Sequence, residues 1–207
     1  MKIDRAGWPF IGGALVLAVV VGGGAGPGGS LPFLLLALVF LFFFRDPERQ
    51  PPARTGVVVS PADGRVLVAG PAEPGVAPPG AWQQISIFLS PLDVHVNRVP
   101  VGGRITRVDF RRGRALPAYR PKAADVNERS EIWIDHDGQA IVARQVVGML
   151  ARRVVCRVRP GDTVQTGDRF GVMKFGSRMD VFLPPTATIA VTVGQMVRGG
   201  ETVIATL

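Results

Sequence analysis

Two uncharged apolar runs near the start of the chain limit its architecture more than any other feature. Residues 8–25 read WPFIGGALVLAVVVGGGA and residues 31–44 read LPFLLLALVFLFFF, with neither an acid nor a base in them. Only GPGGS separates the two. The second run would make roughly 21 Å of helix at about 1.5 Å per residue, short of a hydrocarbon core of about 30 Å. The pair therefore reads as a helical hairpin, either two tilted spans or a hairpin dipping into one leaflet. A domain of the remaining size could not cover two such helices on every side, so a membrane anchor is expected. Lys2 and Arg5 precede the first run, and Arg45 and Arg49 follow the second. Positive flanks of this kind put both ends on the cytoplasmic side of the inner membrane. Residues 1–50 are thus expected to form the anchor and its linker, and residues 51–207 a second domain.

That second domain reads as mainly β. Short β-branched runs alternate with Gly, Pro and Asp: GVVVSPADGRVLVAG, WQQISIFLS, DVHVNRVPVGGRITRVDF and the hairpin EIWIDHDGQAIVARQVVG. A helical turn or two is expected only around residues 143–151. Closely spaced short strands predict a sandwich or barrel. Two segments, VRPGDTVQTGDRF and VTVGQMVRGGETV, share the spacing V-x-x-G-x-x-V-x-x-G-[DE]-x-[FV]. Biotinyl and lipoyl carrier domains use such spacing, so a carrier-like C-terminal part is expected, with Lys174 near the place of a carrier's modified lysine.

The formal net charge of +8 favours anionic partners, and an anchored chain meets acidic lipid first. Beyond residue 50 the aromatic platforms of single-strand nucleic-acid binding are lacking, leaving Trp82, Tyr119, Trp133 and a few Phe. The single cysteine, Cys156, allows no internal disulfide and no cysteine-based metal cluster, and reads as a small buried hydrophobe. No metal-ligand spacing is present.

The chemistry-bearing residues are few. Of two histidines, His136 sits at a hairpin tip, whereas His95 lies in a strand. Strand alternation puts Asp93, His95 and Asn97 on one face, which an ordinary solvated face would also explain. Ser90 and Asp93 suit a turn cap. Near the end, VMKFGSRMDVFL contains both Lys174 and the pair Gly176-Ser177. Residue chemistry alone leaves a carrier arm, a self-processing bond and a plain turn all open.

In order along the chain, SPADGRV, LSPLDVHVNRVPVGG, NERS and VMKFGSRMDVFLP resemble the short-form phosphatidylserine decarboxylases, pyruvoyl-dependent enzymes of phospholipid synthesis. The resemblance spans essentially the whole chain. It implies a proenzyme whose Ser177 hydroxyl attacks the Gly176 carbonyl, giving a β chain of residues 1–176 and an α chain from residue 177. The cofactor implied is a pyruvoyl group made from Ser177, with no metal. That group would form a Schiff base with phosphatidylserine and release carbon dioxide and phosphatidylethanolamine. The resemblance also makes His95 the base and Asp63 its orienting partner. The two chains would stay together as a heterodimer, with higher assembly left open. Asn127 and Glu128 are structural or substrate-adjacent on this reading. The arginine-rich stretch from Gly102 to Lys122 suits the lipid phosphate. The alternative is a membrane-tethered carrier or assembly module using Lys174. The long-form family has LGST where this chain has FGSR. It also has a second histidine three residues after the first, where this chain has Arg98, so one histidine is left for both steps.

Overall fold

The structure, a computed structural model, describes residues 2–72, 75–114, 116–117, 126–148, 154–174 and 177–207. The chain divides into two compact units, Met1–Glu48 and Arg49–Leu207.

In the first unit, α1 (Trp8–Ala25) and α2 (Pro27–Phe43) are joined at Gly26, whose φ of 79° lets the chain reverse without a Cβ clash. Phe10 lies 5.5 Å from Phe40 and 5.4 Å from Phe44 between ring centroids, and Ser30 Oγ donates to the Ala18 carbonyl at 2.9 Å. The helices therefore run antiparallel. A two-residue ladder between β1 (Lys2–Ile3) and β2 (Arg45–Asp46) ties their outer ends. Together with the preceding 3-10 turn, the first helix runs Arg5–Ala25, long and apolar enough to cross a bilayer, while Pro27–Phe43 is shorter. Both are apolar all round, which is the pattern of helices that face lipid or protein on every side.

The second unit is β. An eight-stranded antiparallel sheet has the order β11 (Thr163–Val164), β7 (Gly103–Arg111), β8 (Arg129–His136), β9 (Gln139–Val147), β13 (Ser177–Leu183), β5 (Gln83–Leu89), β4 (Gly64–Pro71), β15 (Met196–Val197). Two three-stranded sheets accompany it. One is β10 (Val154–Cys156), β12 (Arg169–Met173) and β6 (Val96–Arg98); the other is β14 (Thr188–Ile189), β16 (Val203–Thr206) and β3 (Val57–Val59). Mainly β architecture with an N-terminal helical pair is what the sequence pattern leads one to expect.

The spacing echo is a structural repeat. Gly161 N–H donates to the Ile105 carbonyl and Ile105 N–H to that of Asp162; Gly194, Val66 and Gln195 repeat the arrangement. Six residues on, Gly167 and Asp168 clasp Val99 as Gly200 and Thr202 clasp Ser60. The turn-closing contacts recur as well: the Asp162 carboxylate takes Arg159 N–H, and the Gln195 side-chain oxygen takes Thr192 N–H. The two copies contain β11 and β15, the opposite edges of the large sheet.

One region departs from expectation. Residues 143–147 belong to β9, not to a helical turn. This strand lies inside the sheet and is buried on both faces, so its sequence lacks the alternation that marks a half-exposed strand. The β8–β9 turn does match its signal: Asp137 and Gly138 have φ of 51° and 82°, the positive pair that a two-residue Asp-Gly hairpin requires.

On one face of the large sheet, Ile85, Ile87, Leu89, Ile132, Ile134, Ile141, Met179, Val181 and Leu183 form the core with β-branched residues of the small sheets. The other face is buried too, but polar. There Asp180 accepts from Arg178 Nε and Ser86 Oγ, while Arg144 Nε lies 2.9 Å from Glu131. Burial pulls the Arg144 guanidinium below its ordinary pKa, with Glu131 and Asp180 opposing.

Candidate active site

Ser177 opens β13, the strand flanked by β9 and β5 in the large sheet. Its ladder partners are Leu89 on one side and Val147 on the other. It is fully buried, on the same face as Met179 and Val181. Its hydroxyl has no hydrogen-bond partner among the described residues. A buried hydroxyl without a partner is costly, and such groups mark places where chemistry or a ligand completes the site. Gly176, the other half of the candidate bond, lies outside the described residues, as do Phe175 and Tyr119.

His95 arrives by two routes. β5 ends at Leu89, opposite Ser177; the turn Ser90–Asp93 follows, closed by Ser90 N–H to the Asp93 carboxylate at 2.7 Å. Ser90 and Asp93 thus cap a turn, as their types suggest. From the other direction, the His95 carbonyl accepts Met173 N–H at 3.2 Å, extending the β6–β12 ladder to the end that leads into Ser177. His95 is 1% exposed and Asn97 fully buried, so the polar face of this strand is an interior face and not a solvated one. Nδ1 of His95 sits 2.9 Å from the Asp93 carbonyl oxygen. A carbonyl only accepts, so Nδ1 carries the proton and Nε2 is the basic nitrogen of the neutral ring.

Asp63 occupies the turn between β3 and β4. Its carboxylate takes Arg49 Nη2 at 2.9 Å and Gly199 N–H at 2.7 Å. Arg49 reaches on to Glu201 at 2.9 Å. The Asp63 loop is joined to the His95 strand through Arg98 N–H, which donates to the Pro61 carbonyl at 2.8 Å. Arg98 is buried and donates to the Gly167 carbonyl at 3.0 Å.

The other candidates separate from this centre. His136 lies at the β8–β9 tip with Nδ1 on the Gly102 carbonyl at 2.7 Å. Eight residue steps along β9, roughly 26 Å of strand, separate Gln139 beside it from Val147 beside Ser177. Lys174 follows β12, which pairs with β6 and β10, whereas β13 pairs with β9 and β5. The two strands flanking Lys174 therefore belong to different sheets, and a carrier's lysine-bearing hairpin tip is not formed. Asn127 holds the Val147 end of the site: its amide donates to the carbonyls of Val147 and Leu116, both at 2.8 Å, and accepts Leu116 N–H. Cys156 is half-buried, and burial pushes its thiol pKa up. Among the described residues no group of three or more His, Cys, Asp or Glu is placed to hold a metal.

One residue near Ser177 escaped the sequence reading, and it contacts Asn97 of the His95 strand. Gln145 on β9 is diagonal to Ser177, one pair beyond Val147, and its Nε2 donates to Asn97 Oδ1 at 2.8 Å. Forty-eight positions separate these two amides, and only the fold brings them together.

A sequence model described as phosphatidylserine decarboxylase matches residues 36–205, nearly all of the second unit. The chain belongs to the phosphatidylserine decarboxylase family. Its relatives agree along their length. A phosphatidylserine decarboxylase proenzyme of Nitrosomonas europaea is 43% identical over 204 residues, covering 98% of this chain and 94% of the relative. The proenzyme of Salinibacter ruber is 46% identical over 200 residues, covering 95% and 82%. That of Solibacter usitatus is 42% identical over 205 residues, covering 99% and 97%. Family membership makes the second unit a decarboxylase scaffold and gives the carrier reading no support.

Proposed function

We propose that this chain is a self-processing enzyme that cleaves itself between Gly176 and Ser177 and then decarboxylates phosphatidylserine to phosphatidylethanolamine. The Ser177 hydroxyl carries the reading: fully buried, without a partner among the described residues, at the head of an interior strand.

The residues present fit a pyruvoyl group at position 177. Simple hydrolysis there would leave a charged ammonium at a fully buried position whose ladder neighbours, Leu89 and Val147, carry no acid, which is strongly disfavoured. A ketone at the same position is neutral. When present, it supplies an electron sink for loss of carbon dioxide from the serine headgroup.

Cleavage begins when Ser177 Oγ bonds to the Gly176 carbonyl carbon. The carbon–nitrogen bond breaks, and the nitrogen takes the proton lost by the hydroxyl, leaving an ester. His95 Nε2 then removes the Ser177 α-proton, the Cβ–oxygen bond breaks, and residue 176 departs as a carboxylate. The remaining dehydroalanine takes up water and releases ammonia, leaving the ketone. On this reading Asp63 helps to orient His95 during these transfers. In the second reaction His95 Nε2 delivers the proton that replaces the lost carboxylate on the substrate carbon.

The products would not separate. Residues 177–207 supply β13 inside the large sheet, β15 on its edge, and β14 and β16 beside β3, so the α and β chains interleave in two sheets. Exposed Arg111, Arg112 and Arg114 leave β7 at the same end of the sheet as Ser177, and suit the phosphate and anionic lipid. The apolar helix of the first unit, with Lys2, Arg5 and Arg45 around the pair, suits an inner-membrane anchor with the second unit on the cytoplasmic face.

The test is turnover of phosphatidylserine by detergent-solubilised protein, with and without prior borohydride, which reduces a ketone. Phosphatidylethanolamine and carbon dioxide formation that borohydride abolishes is the expected result. Turnover indifferent to borohydride, or cleaved protein without turnover, would overturn the proposal.

A further inference from the structure

We propose that the pocket at the β8–β9 tip is a second ligand site, the internal symmetry mate of the Ser177 centre, and that it binds an aminoalkyl phosphate without reacting with it. The inference goes beyond the decarboxylase reading and does not depend on it.

The second unit consists of two halves related about β9 and β13, an antiparallel pair that a two-fold rotation maps onto itself. Outward from that pair run β13, β5, β4 and β15 in one half, and β9, β8, β7 and β11 in the other. Their registers agree residue by residue. Gly64 pairs with Val197 as Gly103 pairs with Val164, and Leu89 pairs with Ser177 as His136 pairs with Gln139. The small sheets repeat too. The ladders of β16 on β3 and β12 on β6 share one irregularity, between Val203 and Ala205 and between Arg169 and Gly171. Just before each inner strand, Leu207 N–H donates to the Gly56 carbonyl as Met173 N–H donates to that of His95. The loops match with donor and acceptor exchanged: Asp63 takes Gly199 N–H at 2.7 Å, and Gly102 N–H donates to Thr166 Oγ1 at 2.9 Å. Each residue of the centre therefore has a counterpart, Gln139 for Ser177, Gly56 for His95 and Gly102 for Asp63.

These exchanges remove the reacting groups and leave a hollow. Glycines stand where the other half has an imidazole and a carboxylate, and both line a pocket of about 630 Å³. That volume lies within the range of about 300–1,000 Å³ usual for small-molecule sites. The pocket carries both signs of charge, Arg54 and Arg104 against Asp135 and Asp137. Neither arginine side chain has a hydrogen-bond or ion-pair partner among the described residues. Thr166 Oγ1 accepts from Gly102, which leaves its own proton to donate. His136 Nδ1 donates to the Gly102 carbonyl at 2.7 Å. Its Nε2, 3.9 Å from the Asp137 carboxylate and so beyond hydrogen-bonding distance, is an acceptor in the neutral ring. Asp135 spends one oxygen on Gly138 N–H at 3.0 Å and keeps the other. A bare anion would meet two carboxylates here, and a bare cation two guanidinium groups. A headgroup with a phosphate and an ammonium a few atoms apart satisfies both. The phosphate suits the arginine forks and the threonine hydroxyl, and the ammonium suits the carboxylates and His136 Nε2. With no counterpart of the nucleophile or of the His95 base, the site holds this group and does not transform it.

The experiment is isothermal titration of O-phosphoethanolamine into detergent-solubilised full-length Ser177→Ala protein, which offers no ketone for an amine to condense with. Inorganic phosphate and ethanolamine are titrated separately as single-charge probes. Arg54→Ala, Arg104→Ala and Arg111→Ala are each added to the same background; all three arginines are exposed, so their loss spares the fold. One O-phosphoethanolamine per chain is expected, with each single-charge probe about tenfold weaker or worse. Arg54→Ala and Arg104→Ala should each raise Kd about tenfold, the loss of one charge-assisted contact, and Arg111→Ala should leave it unchanged. The titration is repeated in phosphatidylglycerol nanodiscs with and without phosphatidylethanolamine. Binding of the soluble probe that phosphatidylethanolamine suppresses makes a lipid headgroup the occupant, and undiminished binding makes it the free aminoalkyl phosphate; both uphold the site.

Affinity that falls with Arg111→Ala but not with Arg54→Ala or Arg104→Ala would put the ligand at the Ser177 end and overturn the proposal. Inorganic phosphate or ethanolamine binding as tightly as O-phosphoethanolamine would overturn the two-charge assignment, and no heat from any probe would overturn the site itself. Because the readout is binding by an uncleaved chain, a failure of the decarboxylase reading would leave the result standing.

Discussion

Replacing Asp180 by alanine should destabilise the fold far more than an ordinary surface change, because it strands buried positive charge. Asp180 is fully buried on β13. Its Oδ1 accepts Arg178 Nε at 2.5 Å and Ser86 Oγ at 2.6 Å. Arg178 Nη2 also donates to Ser86 Oγ at 2.8 Å, and Ser86 takes Gln84 Nε2 at 2.9 Å. The Arg178 side chain is 2% exposed, so it cannot swing into water once its carboxylate is gone. Arg144, directly opposite Asp180 on β9, would lose a compensating charge as well. Removing one partner of such a pair costs about 3–5 kcal/mol. For a chain of this length, with about 2–4 °C per kcal/mol, the melting temperature should fall by roughly 6–20 °C. The assay is thermal unfolding by circular dichroism of detergent-solubilised full-length protein in a Ser177→Ala background, which keeps a single covalent chain. The double change Arg178→Met, Asp180→Leu removes both charges and should recover most of the loss. A single-variant drop below about 3 °C, or a double variant no better than the single one, would refute the reasoning.

Three further outcomes follow from the same geometry. His95→Ala should slow scission by about a hundredfold or more, and any processed fraction should lack decarboxylation; wild-type rates in both assays would remove His95 from both roles. Gly64→Ala should destabilise the protein by roughly 1–3 kcal/mol, because φ is +148° and a Cβ would collide with the Phe88 carbonyl, next to the Leu89 that pairs with Ser177. An unchanged melting temperature would contradict that clash. Burial raises the Cys156 thiol pKa, so iodoacetamide at pH 8.5 should alkylate the folded chain about tenfold more slowly than the urea-unfolded one. Since the folded state holds this proton more tightly, the thiol's contribution to stability is present below the unfolded thiol's pKa. It is lost as pH rises through the raised folded value. Equal alkylation rates would place the thiol in an open environment.

The parts of this molecule legible in its sequence are those set by local chemistry. The uncharged runs require helices, the Asp137-Gly138 pair requires its turn, and the glycine spacing of the two echoes recurs as matched backbone hydrogen bonds. What stayed hidden depends on residues far apart in the chain. β9 and β5 flank β13 in an order that no local pattern encodes, and β9 lost its alternation because both of its faces are covered. Arg144, Arg178 and Asp180 look like surface charges until the second face of the sheet is seen to be buried. The polar side of the His95 strand similarly reads as a solvated face until Gln145 arrives from another sheet. Ser177 and His95 stood out by resemblance, whereas Gln145 is visible only through its contact with Asn97.

The most direct test of the central claim is the intact mass of the purified, membrane-extracted protein beside its Ser177→Ala variant. The account requires two wild-type chains, residues 1–176 ending in a carboxylate and residues 177–207 beginning with a ketone, and a single uncut variant chain. A wild-type chain that remains whole, or a second chain that begins with an unmodified Ser177 amine, would contradict it.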